Sequence, residues 1–244
     1  TLQIGKEGAM VVDTKGAQSS TNLLAAIRTL TDKPIRYILN TSGNPSHTGG
    51  NAALAKAGAT ITGGNVAGAN AGWGATIVAH ENVALRMADD KSADIAGSPM
   101  DTFFGEGKDL YLNGEAVQLF TQPKAHSDSD SLVFFRRSDV ISAGELFVPD
   151  EYPVIDIDHG GSINGIVDSL NRIIELTVPA DKQEGGTMVV PARGRLCDEA
   201  DVVEYRDMMT ILRDRIQDMV KRGMTLQQVV AAHPTRDYDP QYGT

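Results

Sequence analysis

The sequence contains one cysteine, few aromatic residues and a deficit of positive charge. The cysteine, Cys197, can form neither an internal disulfide nor a thiolate metal site by itself. No apolar run approaches the roughly 18–20 residues of a membrane-spanning helix, so no membrane span is expected. Acidic residues outnumber basic ones by 32 to 22, and the formal charge of −10 argues against nucleic acid as the main partner.

What is present is the composition of a soluble globular protein, with 41% hydrophobic and 22% charged residues. A chain of 244 residues can form one domain or two small ones, and we favour a single domain over residues 1–244. The first residues, Thr1 to Ile4, have the pattern of a strand rather than of a signal peptide. The sequence does not determine the cellular compartment, although we favour an extracytoplasmic (periplasmic or secreted) location over a cytoplasmic one.

Strand and helix patterns alternate along the chain. Two hairpins are predicted, one across Lys6-Glu7-Gly8 and one across Asn113-Gly114. Four segments are predicted to be helical, at 22–30, 80–90, 161–178 and 198–222. A shorter helix, capped by Thr225, is predicted at 225–233. Further strands are predicted at 35–40, twice within 131–148, and in 187–194. This interleaving indicates mixed sheets flanked by helices.

Four loops that carry polar residues follow predicted strands, at 41–51, 126–130, 144–145 and 191–195. Their order, spacing and strand context resemble those of the metallo-β-lactamase superfamily, and the tail TLQQVVAAHPTRDYD is similar to that of glyoxalase II-like members. The resemblance covers essentially the whole chain. It implies an α/β fold, an αββα four-layer sandwich of two mixed β-sheets flanked by helices, whose metal loops line one edge of the sheets.

The first loop, TSGNPSHTGGN, stands where the superfamily has the signature T-H-x-H-x-D-H, whose side chains converge on two zinc ions. By this resemblance the ligand positions hold Ser42, Asn44 and Ser46, and only the last histidine is retained, as His47. Asp13, in VVDT, resembles a family aspartate outside the ligand set, and we expect it to bond the backbone of this loop.

The later loops carry the other positions implied by the resemblance. His126 in AHSDSD matches a family ligand, and Glu145 in AGELF replaces the bridging aspartate with a side chain one methylene longer. Arg193 in PARG falls on the last ligand histidine. Serine and asparagine are poor neutral zinc ligands, and an arginine places a fixed positive charge where a cation would bind. The sequence therefore argues against a dinuclear zinc site.

Two interpretations of the remaining residues stay open. His47, His126 and Glu145 form a two-histidine, one-carboxylate set of the type that holds non-haem iron, so one weakly bound zinc or iron is the alternative to no cofactor. In the other interpretation both histidines are hydrogen-bonded core or cleft residues, and Arg193 pairs with Glu145 to fill the vacated site with a salt bridge.

Four further residues are candidates outside this set. His80 starts a predicted helix and His159 precedes a Gly-Gly turn that in relatives sits near substrate, so both are candidate substrate-binding residues. The alternative is that they only shape a helix start and a capping turn. Ser42 and Ser46 are candidate nucleophiles, although no aspartate is evidently placed to orient a base for them.

Relatives normally have one or two strands before the segment equivalent to residues 1–14. We therefore expect another chain or an N-terminal fragment to complete the first sheet, since an unpaired apolar edge is rarely tolerated. This favours a processed precursor and an oligomer. A processed chain with Thr1 at its terminus also raises the alternative of an N-terminal nucleophile, in which the threonine supplies both nucleophile and base.

The sequence leaves two main functions. The first is a protein that has lost zinc hydrolysis and serves as a binding or partner subunit, with a small molecule or another chain as its ligand. The second is a divergent hydrolase of esters, lactones or thioesters that works with one metal or none.

Overall fold

The computed structural model describes residues 1–60, 74–91 and 93–243. The chain forms two compact units. The first comprises Thr1–Thr121 and Ser129–Ser138, and the second Gln122–Asp128 and Asp139–Thr244. The prediction of one domain over residues 1–244 stays a prediction.

The first unit contains a five-stranded sheet whose strands lie in chain order: β1 Leu2–Gly5, β2 Gly8–Val12, β3 Ile35–Asn40, β4 Thr76–His80 and β5 Asp101–Phe103. The β1–β2 hairpin is antiparallel, as predicted, and the remaining pairs are parallel. The carboxyl ends of β2, β3 and β4 therefore meet at one sheet edge, where Asp13, the loop from Thr41 and His80 lie.

Helices cover this sheet: α1 Ser20–Leu30, α2 Pro45–Thr48, α3 Asn51–Lys56 and α4 Glu81–Asp89. Ile27 of α1 and Leu54 of α3 pack against Ile35, Ile38 and Ile77 in a buried cluster. Helical spacing in α1 and α3 brings these aliphatic side chains to the sheet, so burial of apolar surface holds both helices there.

The first unit also contains three antiparallel strands: β6 Gly107–Leu112, β7 Glu115–Thr121 and β8 Ser131–Phe135. Asn113 and Gly114 have φ angles of 57° and 74°, the left-handed values of a two-residue hairpin turn. The hairpin predicted at this Asn-Gly pair is confirmed.

The second unit contains two parallel strands and four helices: β9 Val140–Gly144, β10 Met188–Pro191, α5 Ile163–Leu176, α6 Glu199–Lys221, α7 Leu226–Ala231 and α8 Asp239–Tyr242. Ile166 and Leu170 of α5 and Val202 and Leu212 of α6 are buried. The hydroxyl of Thr225 accepts a hydrogen bond from the Gln228 amide in a capping box, so the cap predicted for this helix, α7, is confirmed.

The strands form two mixed sheets with flanking helices, which confirms the predicted α/β class. Among the described helices, none combines the length and the apolar character that crossing a membrane requires.

Candidate functional site

Hydrogen bonds among neighbouring uncharged side chains shape the loop after β3. Asn44 caps the one-turn helix α2, because its Oδ1 accepts hydrogen bonds from the amide and the hydroxyl of Ser46, both at 3.0 Å. The Ser42 hydroxyl accepts a hydrogen bond from the Asn44 amide at 3.3 Å. Pro45 occupies the first turn, where its fixed φ suits a helix start. These uncharged side chains therefore support the loop through local hydrogen bonds.

His47 is buried and bound to Asp13. The Nδ1 atom of His47 lies 2.8 Å from Oδ2 of Asp13 and 3.2 Å from the Thr41 hydroxyl. Thr41 also donates to Asp13 through its hydroxyl at 2.7 Å and its amide at 2.8 Å. The amide contact is the backbone bond predicted for Asp13. Because Nδ1 faces the carboxylate, Nε2 is the ring nitrogen directed away from Asp13.

The environment of Asp13 favours its charged form. Burial raises the pKa of this carboxyl, but the charge of His47 and the hydrogen bonds from His47 and Thr41 outweigh burial, and the pKa lies below its usual value. Asp13 has a φ of 61°, in the left-handed region that aspartate tolerates better than most residues. The three residues Asp13, Thr41 and His47 thus form one preorganised polar cluster.

A buried network that sequence reasoning missed holds the backbone of His47. Its carbonyl oxygen accepts hydrogen bonds from the Thr14 amide at 2.8 Å, the Thr14 hydroxyl at 3.0 Å and Asn40 Nδ2 at 3.2 Å. Asn40 and Asn51 exchange amide hydrogen bonds at 2.8 and 3.1 Å, and Asn51 also donates to the Gly97 carbonyl at 3.0 Å. The available signal was weak: asparagines at the end of a buried strand and after a Gly-Gly turn.

Thr1 bonds to the end of β2, and His80 lies at the start of α4. The amino group of Thr1 donates to the Val12 carbonyl at 3.3 Å, and the Thr1 carbonyl accepts from the Val12 amide at 2.9 Å. Burial lowers the pKa of this amino group, an effect that Asp13 partly offsets. His80 ends β4 and caps α4, with Nδ1 accepting from the Asn82 amide at 3.2 Å and its ring packed edge-on against Phe103.

In the second unit His126 is bound to a backbone carbonyl. Its Nδ1 lies 2.7 Å from the Val154 carbonyl oxygen, which can only accept, so Nδ1 carries a hydrogen and donates it. The His126 carbonyl accepts from the Asp156 amide at 2.8 Å. Asp156 also contacts His159, whose Nδ1 lies 2.6 Å from its carboxylate, and caps the turn before Gly160. His126 and His159 are therefore both attached to Asp156.

Glu145 is held by Arg193, as the salt-bridge interpretation predicted. Nη1 of Arg193 donates to both carboxylate oxygens of Glu145, at 3.0 and 3.2 Å. Nε of Arg193 donates to Glu151 at 3.1 Å, and Nη2 lies 3.1 Å from the same carboxylate. The bonds to Glu151 and the charge of Glu145 raise the pKa of Arg193 above its usual value, against the opposing effect of burial. Glu151 lies in an irregular segment, and nothing in the sequence indicated this third member.

These donors do not fit a dinuclear zinc centre. Zinc sites need about three protein ligands from His, Cys, Asp or Glu. The positions that the superfamily uses hold Ser42, Asn44 and Ser46 in the first unit, and Glu145 is bonded by Arg193 in the second. Across residues 1–60, 74–91 and 93–243, no three such side chains are grouped to hold a metal ion.

The two mixed sheets with flanking helices and the loops at the strand ends define the class of fold. Residues 1–180 match the sequence profile of the metallo-β-lactamase superfamily, and the chain belongs to this superfamily. A comparison with curated protein sequences found no match.

Solved structures of the same fold are similar to this chain. A metallo-β-lactamase from Pontibacter korlensis is 17% identical, with a TM-score of 0.65 over 86% of this chain and 85% of that one. The stereoselective inverting sec-alkylsulfatase Pisa1 from Pseudomonas sp. is 12% identical, with a TM-score of 0.72 over 94% of this chain and 41% of that one. A double mutant of that sulfatase matches at the same identity and TM-score. At these identities the similarity shows the fold alone.

Proposed function

We propose that this chain is a metallo-β-lactamase-fold protein that has lost dinuclear zinc hydrolysis and acts as a binding or partner subunit in a processed or hetero-oligomeric assembly. The observation that carries the proposal is the two-bond contact of Arg193 with Glu145. A guanidinium matches carboxylate geometry and supplies the charge that a cation would otherwise supply. The carboxylate that resembles the bridging ligand is therefore already compensated within the protein.

The first loop supports the same function. Ser42, Asn44 and Ser46 carry no charge, and their hydrogen bonds are used to shape α2. A loop of neutral donors and acceptors on a rigid sheet edge suits recognition of a ligand, because the geometry is preorganised without a metal.

The assembly part of the proposal is supported by the position of β1 at the end of the strand order. Thr1 and Val12 exchange backbone hydrogen bonds, so in an antiparallel pair the backbone groups of Leu2 and Ile4 point away from β2. The Ile4 side chain is exposed as well. Such an edge is a template for an added strand from a partner segment.

A second candidate function is favoured by one contact. Asp13 bound to Nδ1 of His47 is the arrangement that orients an imidazole as a base, which supports a divergent hydrolase of esters, lactones or thioesters acting without metal. Ser46 donates to Asn44 rather than to His47, so the base would activate water in this candidate. The mononuclear metal predicted at His47, His126 and Glu145 has no such contact in its favour, since no three potential ligands are grouped to hold a metal ion among the described residues.

Metal analysis of protein purified without chelator, together with a panel of ester, lactone and thioester substrates, separates these functions. If the chain is a binding subunit, we expect substoichiometric metal and no turnover above the rate in buffer alone. Stoichiometric zinc or iron that is lost in His126→Ala, but kept in the control His233→Ala at an exposed histidine, would contradict it. Turnover that is abolished by Asp13→Asn without any metal would establish the metal-free hydrolase instead.

A further inference from the structure

A cavity of about 530 Å³ in the first unit lies against the loop that carries His47. This volume is within the range of small-molecule pockets, roughly 300–1,000 Å³. Its walls come from that loop, from α4, and from the segments before α1 and around Asp94. It shares no residue with the cluster of Asp13, Thr41 and His47 or with the pair of Glu145 and Arg193.

One wall of the cavity is α2 itself. Pro45 and Ser46 precede His47 and line the cavity, as does Thr48, which follows it. The His47 imidazole is instead bound to Asp13. A molecule in the cavity would therefore touch the residues on both sides of His47 without touching its ring.

A second wall is formed by α4, which packs closely against the loop through Arg86. A Cβ atom placed on Gly43 would lie 3.0 Å from Cδ of Arg86, so the arginine stem covers the glycine with little space between them. Both residues line the cavity. A larger residue at position 43 would push this side chain aside, and the cavity shape depends on the glycine.

The charges of the lining are unequal. Arg86 lies on α4 and Asp90 directly follows the end of that helix, and the two residues carry opposite charges. Asp94 is the remaining charged residue of the lining, and its Oδ1 accepts a hydrogen bond from the Ala96 amide at 3.0 Å. Met87, Pro45 and several alanines provide apolar surface next to it. The lining thus combines one net negative charge with a short apolar wall.

We propose that this cavity is a binding site for a small organic cation, a primary ammonium with a short apolar chain. The ammonium group bonds Asp94, and the chain lies on Met87 and Pro45. Occupancy is transmitted to the His47 loop because α2 forms one wall. The site is independent of the function proposed above, since it requires neither a metal nor turnover.

The test is a titration of the whole chain with n-butylammonium chloride, followed by amide chemical shifts in two-dimensional NMR. Sodium butanoate and 1-butanol serve as the anionic and neutral probes of matched chain length, with ionic strength held constant by sodium chloride. We expect saturable shifts with butylammonium at Ser46, Thr48 and Ala93, and weaker or no saturation with the other two probes. Saturation by butanoate, or equal saturation by all three, would overturn the proposal.

Two variants locate the cation. Asp94→Asn keeps a side-chain oxygen that can still cap the following turn, and it should weaken butylammonium binding by roughly fivefold, the effect of one exposed charge contact. The matched control is Asp89→Asn, which removes the same charge from α4 at a residue outside the lining. If both variants weaken binding equally, the cation responds to net charge and not to this cavity.

Discussion

Arg193 donates two hydrogen bonds from Nη1 to the carboxylate of Glu145, a residue whose side chain is only 9% exposed. The same guanidinium contacts Glu151, so one cation links two carboxylates of the second unit. Hydrogen bonds between two ionised groups are stronger than those between neutral groups, and removing one partner leaves a largely desolvated charge. Arg193 therefore has a structural role in the second unit.

Arg193→Gln should lower the free energy of unfolding. Glu145 would lose both of its bonds to the guanidinium, and since Arg193 is 43% exposed and partly screened by solvent, we expect a cost of about 1 kcal/mol. Urea denaturation of the variant and of the native chain measures this difference in the free energy of unfolding. The control is Arg222→Gln, which breaks an exposed pair with Asp218 and should cost less than about 0.5 kcal/mol. If both substitutions lower the free energy of unfolding equally, the partly buried pair of Arg193 and Glu145 stabilises the protein no more than an exposed pair does.

Restoring ligands to the first loop should restore affinity for zinc. The triple variant Ser42→His, Asn44→His, Ser46→Asp supplies imidazole and carboxylate donors beside His47, which reaches the number of ligands that zinc requires. Metal content after equilibration with zinc, measured by mass spectrometry, should exceed that of the native chain. The triple alanine variant at the same positions is the control for disturbance of α2. Equal zinc in both variants would mean that the loop no longer presents these positions to a common point.

The free energy of unfolding should fall at acid pH as Glu115 becomes protonated. This carboxylate accepts hydrogen bonds from the Ser138 amide at 2.6 Å, the Arg137 amide at 2.9 Å and Gln3 Nε2 at 2.6 Å. Burial raises the pKa of Glu115, but these bonds outweigh burial and hold it below its usual value of 4.5. The unfolded chain therefore takes up the proton first. The stabilisation is complete above about pH 5 and is lost as the pH falls through 4.5 toward the lower folded pKa.

Glu115→Gln tests this dependence, because it removes the titrating group and keeps one acceptor oxygen. Urea unfolding between pH 3 and pH 7 should show a flatter decline of stability in acid for this variant than for the native chain. Glu184→Gln, at an exposed loop residue, should leave the slope unchanged. A parallel decline in all three proteins would place the acid sensitivity elsewhere.

Asn51→Ala should loosen the backbone of His47. The substitution removes the buried hydrogen bonds that Asn51 makes with Asn40, the Thr14 hydroxyl and the Gly97 carbonyl, a cost of about 1–3 kcal/mol. Hydrogen exchange should become faster at the amides of Thr14, Thr48 and Gly50 than in the rest of the first unit. The control is Asn22→Ala on the exposed side of α1, where alanine is the better helix former. Unchanged exchange at these amides would show that the loop holds its shape without the network.

Local chemistry made parts of the fold predictable. Asn113-Gly114 forms its hairpin because both residues tolerate left-handed backbone, and Thr225 caps α7 because its hydroxyl reaches an amide three residues on. The pairing of Arg193 with Glu145 was predictable from the resemblance, since the two loops correspond to one family site. In each case the partners are close in sequence or linked by a known pattern.

The buried networks were not predictable in this way. Glu115 in the sequence is one polar residue in an alternating strand, and its partner Gln3 is 112 residues away. Glu151 reaches Arg193 from an irregular segment, and the cavity beside α2 takes its walls from four separate stretches.

The sequence by itself thus determined the hairpin turns and helix caps and indicated the superfamily, because turn chemistry and the residue types of the strand-end loops can be read from short segments. The tertiary structure decided which carboxylates are compensated, which histidine nitrogen is bound and where the cavity lies. Those properties depend on the distance and burial between residues remote in the chain, which strand order and packing set.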